Sequence, residues 1–176
     1  MAVITIVTSA PPLTEGGHLV IARSLERALI DAKGETNGGI RIGSGVFIGR
    51  NTILSCKNGD IEIADGANIG FNCEIFSASR VRVGKDTLVA AYTYLVGGDH
   101  DVVDRERPVI EQGRRSAGVD IGDGAWIGSG ATILDGVTVG ARAVVGAGAV
   151  VRESVAAGAT VVGVPAREVG SRAGAG

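Results

Sequence analysis

Few side chains in this sequence can move a proton near neutral pH. There are two histidines and two cysteines among 176 residues. His100 lies in the run Gly97-Gly98-Asp99-His100-Asp101, between small and acidic neighbours. An imidazole in such a place can take a proton from a hydroxyl, which is not nucleophilic by itself at pH 7. The plain alternative is a surface histidine without chemistry. His18 opens a stretch of helical spacing, where a surface or capping role is the default. Cys73 falls at a small inward position and reads as core. Cys56 reads as the outer part of a turn. Neither is expected to be a nucleophile, and their spacing is not that of a CxxC pair.

What must position His100 is a repeat. From Ile42 onward an aliphatic residue recurs every sixth position. The series runs Ile42, Ile48, Leu54; Ile63, Ile69, Ile75; Val83, Val89, Leu95; Ile121, Ile127, Ile133; Val139, Val145, Val151. Four residues after each of these fifteen, thirteen positions are small or β-branched; the exceptions are Asn58 and Asp99. The residue directly after the aliphatic one is Gly in eight cases, but never after the third of a group. Positions six apart share one face of a strand, whereas a helix needs recurrence at three and four. Each six-residue unit is thus a short strand and a turn, and three units make one coil. The spacing predicts five 18-residue coils: 42–59, 63–80, 83–100, 121–138 and 139–156. Stacked coils about 4.8 Å apart form a triangular prism of parallel strands. The period does not give the hand of the coil.

The composition agrees. Glycine supplies 29 residues, roughly twice ordinary usage, against one Trp, two Tyr and three Phe. A narrow bore with many turns needs glycine and has no room for rings. The glycines do not recur every third residue, which excludes collagen. Net charge is only −2, and no basic run suggests nucleic acid or a membrane surface as partner. No stretch approaches the roughly 18–20 apolar residues of a membrane span. The first residues lack the basic start of a signal peptide, so a cytoplasmic location is expected.

Two regions escape the repeat. Residues 1–40 read as an N-terminal arm and cap, with Val3 to Thr8 extended and 18–33 an amphipathic helix over the open end of the prism. The domain proper is 41–170, and 171–176 reads as a disordered tail. Residues 101–118 carry mixed charge without strand period and predict a protruding loop, suited to function or to subunit contact. His100 stands where the chain leaves the prism for this loop. Asp99 breaks the small-residue rule at the same point, as a site residue would.

Segments such as IGSGVFIGRNTIL, IGDGAWIGSGATILDGVTVGARAVVGAGAVV and VVGVPAREV resemble the hexapeptide-repeat acyltransferases over 42–170. The GGDHD segment, followed by a loop and AWIG, is most similar to the sugar and polysaccharide O-acetyltransferase branch. This resemblance implies an all-β fold, a left-handed parallel β-helix, and a homotrimer. It implies acetyl-CoA as acyl donor, with no metal, and a sugar or glycan acceptor. His100 would be the general base in a direct transfer without covalent enzyme intermediate. Trp126 would wall the CoA channel at a subunit interface, Ser129 and the Ala147 amide would contact pantetheine, and Arg167 would reach the CoA phosphates. Asn72 matches an asparagine near the acceptor, or else is a corner residue held by local hydrogen bonds. Tyr94 and Asp99 could line the acceptor site.

Three other readings compete. One is an N-acyltransferase on a nucleotide-linked amino sugar. Another is a β-helix that only assembles with partners. A zinc carbonic anhydrase on the same fold needs three histidines, and one plausible histidine per chain argues against it.

Overall fold

The structure, a computed structural model, describes the backbone at residues 3–6, 29–32 and 37–171, and side chains from residue 37 onward. The hexad repeat folds as a three-sided solenoid of parallel strands, with six such strands on each face. The first face holds β1 (Val3–Ile6), β3 (Gly39–Ile42), β6 (Ile61–Ile63), β9 (Val81–Val83), β14 (Val119–Ile121) and β17 (Thr138–Val139). The second holds β4 (Phe47–Ile48), β7 (Asn68–Ile69), β10 (Leu88–Val89), β15 (Trp126–Ile127), β18 (Val144–Val145) and β20 (Ala159–Val162). On its end β21 (Arg167–Ser171) pairs antiparallel with β20. The third face holds β2 (Leu29–Ala32), β5 (Ile53–Cys56), β8 (Glu74–Ser77), β11 (Tyr94–Gly97), β16 (Thr132–Ile133) and β19 (Val150–Val151). Among the described residues five turns are complete, with β1 and β2 stacked at one end and β20 at the other.

All fifteen aliphatic repeat residues point inward and are at most 2 % exposed. The small residue four places later is also buried in each hexad that continues around the prism, from Val46 and Thr52 to Val155. Asn58, Ser79 and Asp99, which close the first three turns at the third–first corner, are the ones left outside the core. The six aromatic residues all lie outside the bore, half-buried or exposed. Cys56 corrects one expectation. It is fully buried in β5, with its thiol against the Gly59 carbonyl at 2.9 Å and the Asn37 amide at 2.9 Å. In β5, β8 and β11 the residue two beyond the repeat aliphatic, Cys56, Ser77 or Gly97, is also buried, and the six-residue rule does not count that position.

The glycines fall into two physical classes. Those directly after an inward aliphatic residue are demanded by the neighbouring coil. A Cβ on Gly70 would sit 2.6 Å from the backbone nitrogen of Ala91, and one on Gly49 2.5 Å from the carbonyl carbon of Gly70. Others, such as Gly45 at φ +68° and Gly130 at +69°, turn the chain in the left-handed region with open space around them. The composition had suggested turns alone; half of the reason is close approach between coils.

The N-terminal region differs in part from expectation. β1 continues the first face by pairing with β3, as an extended arm would. Leu29–Ala32, expected as the end of a helix, is strand and pairs in parallel with Ile53–Cys56. Leu29 and Ile30 are aliphatic and the sheet edge at β5 is open, so the ladder takes precedence over helical spacing. The rest of that expected helix lies outside the described residues, as does most of the expected tail.

Carboxylates secure the corners. Asp65 accepts from the Ser44 amide at 2.8 Å, Asp123 from the Lys85 amide at 2.9 Å, and Asp135 from the Gly118 amide at 2.8 Å. The Lys85 amide, with Arg82 beside it, holds the Asp123 carboxyl below its ordinary range.

Gly70→Ala tests the close-approach account. At an unstrained site, added alanine stabilises by a few tenths to 1 kcal/mol. Here overpacking against backbone should reverse the sign, to a loss of about 1–3 kcal/mol in urea denaturation. A variant as stable as the parent would contradict it.

Candidate active site

The third turn leaves the prism at Gly98. Residues Asp99–His100 form β12, which pairs antiparallel with β13 (Arg114–Arg115). Between them the chain makes the exposed excursion expected for 101–118, with one 3-10 turn at Val109–Glu111. The loop is held by its own side chains. Gln112 accepts from the Asp104 amide at 3.0 Å and donates to the carbonyls of Asp104 and Arg107, each at 2.8 Å. The chain then rejoins the prism, where Asp135 receives the amides of Ala117 and Gly118.

His100 is half-buried at the root of this ribbon. The Asp99 carboxylate accepts from the His100 amide at 2.7 Å, which fixes the backbone there. Nδ1 of the ring is buried and has no hydrogen-bond partner among the described residues. That leaves Nε2 as the nitrogen able to meet a reactant. Tyr94 lies on the third face of the same turn, in register between Glu74 and Thr132. Burial pushes its phenol up, and the Glu74 carboxylate adds to the shift.

The other candidates gather elsewhere. Trp126 stands on the second face, 49 % exposed, in register with Leu88 above and Val144 below. Three residues on, Ser129 reaches the second–third corner, where its hydroxyl donates to the Ala91 carbonyl at 2.8 Å. One turn below is Ala147, and the adjacent Gly148 amide donates to the Ser129 carbonyl at 2.8 Å. Ser129 and Ala147 therefore share a corner one turn apart, as their 18-residue spacing requires. The Ala147 amide has no hydrogen-bond partner among the described residues. Arg167 lies on β21, the last strand of the same face, exposed and bonded to the Ala166 carbonyl at 2.8 Å. Trp126, Ser129, Ala147 and Arg167 thus follow one edge of the prism.

Asn72 occupies the same corner nearer the N-terminal end. Its φ of +54° makes it a turn residue, and its Oδ1 accepts from Asn51 at 3.2 Å. Its neighbour Phe71 is 42 % exposed, edge-on to Phe47 with ring centres 6.0 Å apart, and under the Arg50 guanidinium at 5.2 Å. The third face separates this edge from His100. Its four-residue strand β11 spans about 13 Å at roughly 3.3 Å per residue. Sequence reasoning passed over Gln112 and Arg114, because nothing in a mixed-charge loop marks which side chains hold it and which face the histidine. Among the described residues, no group of three or more His, Cys, Asp or Glu is placed to hold a metal ion. No helix among them is long and apolar enough to cross a membrane.

The geometry defines a solenoid of six-residue repeats with one long excursion. Residues 118–153 match the family described as bacterial transferase hexapeptide (six repeats). Nodulation protein L of Rhizobium meliloti (strain 1021) is 41 % identical over 109 residues, covering 61 % of this chain and 58 % of that protein. The chain thus spans less than two thirds of the length of that curated relative. Among solved structures it is similar to AntD, an N-acyltransferase from Bacillus cereus in complex with dTDP-4-amino-4,6-dideoxyglucose and coenzyme A. That match has a TM-score of 0.72 at 23 % identity, covering 84 % of this chain and 79 % of the other. The polySia-specific acetyltransferase NeuO matches with a TM-score of 0.71 at 23 % identity, covering 85 % and 66 %. At such identities these structures establish the fold.

Tyr94 offers a direct check on the site's electrostatics. In a Tyr92→Phe background the remaining tyrosine should ionise above the free-tyrosine value of about 10, followed by ultraviolet difference absorbance. Glu74→Gln should move that ionisation back toward it. Burial disfavours the phenolate, so the shift must be upward; a downward shift contradicts the described packing.

Proposed function

We propose that this chain is an acyltransferase that uses acetyl-CoA as donor substrate and acetylates a hydroxyl of a sugar or polysaccharide precursor. The carrying observation is the shared edge of Trp126, Ser129, Ala147 and Arg167, with Ser129 and Ala147 one turn apart on it. An extended pantetheine arm suits such an edge. It would meet a free amide at Ala147, an indole wall at Trp126 and a cation at Arg167. The solved neighbours support the class, since AntD is named an N-acyltransferase in complex with dTDP-4-amino-4,6-dideoxyglucose and coenzyme A, and NeuO a polySia-specific acetyltransferase.

His100 acts as general base through Nε2. It takes the proton as the acceptor oxygen attacks the thioester carbonyl carbon. The tetrahedral intermediate collapses with cleavage of the carbon–sulfur bond, and the imidazolium returns the proton to the departing thiolate. Asn72, Tyr94 and Asp99 line the acceptor side. The distance from the donor edge to His100 within one chain calls for a second copy. We place the site between copies of a homotrimer, with His100 of one facing the donor edge of the next. The same contact supplies an acceptor for the buried Nδ1–H that a base working through Nε2 must carry. We place the protein in the cytoplasm, where acetyl-CoA is available.

His100→Ala should lower kcat by at least about 10²-fold while calorimetric affinity for CoA stays unchanged. Unchanged transfer would remove His100 as the base. A product ester cleaved by hydroxylamine marks O-acetylation; a stable amide would favour an amino-sugar acceptor, the reading AntD's bound sugar suggests.

A further inference from the structure

The arginines of the first face are occupied. Arg41 pairs with Asp60 and Glu62, Arg80 with Glu62, and Arg82 with Asp120 and Asp123. Arg114 and Arg115 are exposed and make no ion pair or side-chain hydrogen bond among the described residues. They are nevertheless set in a ladder, directly opposite His100 and Asp99.

The register says which of them faces the base. Residues opposite each other on antiparallel strands project to the same side. His100 lies opposite Arg114, and Asp99 opposite Arg115. Asp101 donates to the Gly113 carbonyl at 2.9 Å, so the pair after His100 is the hydrogen-bonded one. His100–Arg114 is then a non-hydrogen-bonded pair, the kind with Cα atoms closer, near ~4.5 Å. Arg115 projects to the other side of the ribbon.

The neighbouring acids do not neutralise Arg114. The Asp99 carboxylate is engaged by the His100 amide and that of Asp104 by the Glu106 amide. Asp101, Glu106 and Glu111 form no ion pair with either arginine. The loop as a whole carries acids as well as arginines, so selection comes from one point contact and not from a broad field. The three hydrogen bonds of Gln112, two residues before Arg114, hold that contact in place before any ligand arrives.

We infer that Arg114 is a specificity-determining residue that binds an anionic group of the acceptor, a phosphate or a carboxylate, beside the hydroxyl presented to His100. The inference rests on the acyltransferase reading for its kinetics, but not for its binding. A planar guanidinium matches the oxygens of either group through two parallel N–H donors. A neutral sugar leaves it unpaired.

The test uses the full chain, acetyl-CoA and four acceptor probes. UDP-glucose carries phosphate, N-acetylneuraminic acid carries carboxylate, and maltose and N-acetylglucosamine are neutral. Wild-type kcat/KM should be highest for one of the two anionic probes. Arg114→Ala should raise the KM for that probe about 10- to 100-fold, the range of a lost charge-assisted hydrogen bond, with the KM for acetyl-CoA unchanged. Arg114→Lys should recover part of the loss, and Arg115→Ala should behave as wild type. A preference for neutral probes, or an unchanged KM in Arg114→Ala, overturns the inference. Saturation-transfer NMR of the anionic probes without donor is the second arm. Their signal should be present with wild type and lost with Arg114→Ala; equal signals from the two proteins, or none with wild type, overturn the assignment. Should wild type acetylate none of the four, the acyltransferase reading fails, and the binding arm still decides the role of Arg114.

Discussion

The spacing of about 4.8 Å between successive coils governs this molecule. Each coil lays its backbone directly on the one before, and the ladder permits no side chain between them at the corners. That is why a Cβ on Gly70 would lie 2.6 Å from the Ala91 nitrogen. The same spacing sets the bore. Three short strands enclose a triangle wide enough for one Ile, Val or Leu per side, with small residues such as Ala67, Ala131 and Ala149 filling toward the corners. Rings are excluded, and all six lie outside.

A solenoid built this way has little freedom to carry chemistry in its walls. Function must come from the surface column that each face presents, or from a place where the chain leaves the stack. The chain does so between the third and fourth turns without interrupting the ladder. β11 still pairs with β16, and β14 with β9, across the excursion. Gly118 permits the return: its φ is +88°, and a Cβ there would lie 2.2 Å from the Arg80 carbonyl oxygen. The loop therefore rises from rigid neighbours at both ends, and its interior is tied by Gln112. His100 owes its position to both constraints.

The prism was legible because its constraint repeats. Fifteen aliphatic residues at a fixed interval leave one reading, and every one of them is buried. Leu29–Ala32 was misread because local helical spacing is a weaker determinant than an open sheet edge at Cys56 and its neighbours. Cys56 was misread because the second inward residue of a third-face strand falls outside the six-residue rule. The site was legible only in part. The 18-residue interval between Ser129 and Ala147 places them on one corner. No interval relates His100 to Arg114, whose pairing depends on where a non-repeating loop turns back.

That division has a physical consequence for assembly. A repeat fixes the positions of groups within one corner very well, but it also fixes the distance between corners. The edge of Ser129 and Ala147 and the root of His100 are attached to different corners of the same rigid triangle, so no flexing of one chain brings them together. The polarity of the faces agrees with a site formed between copies. The first face displays the ladder of Arg41, Glu62, Arg82 and Asp120, which water solvates well. The second displays Phe47, Asn68, Leu88, Trp126, Val144 and Thr160, and the third Ile53, Glu74, Tyr94, Thr132 and Val150, both richer in apolar side chains than the first. These two less charged faces meet at the corner that carries Ser129 and Ala147. In the assembly proposed above, a neighbour packed there would cover apolar surface and bring a second His100 to this edge in the same contact.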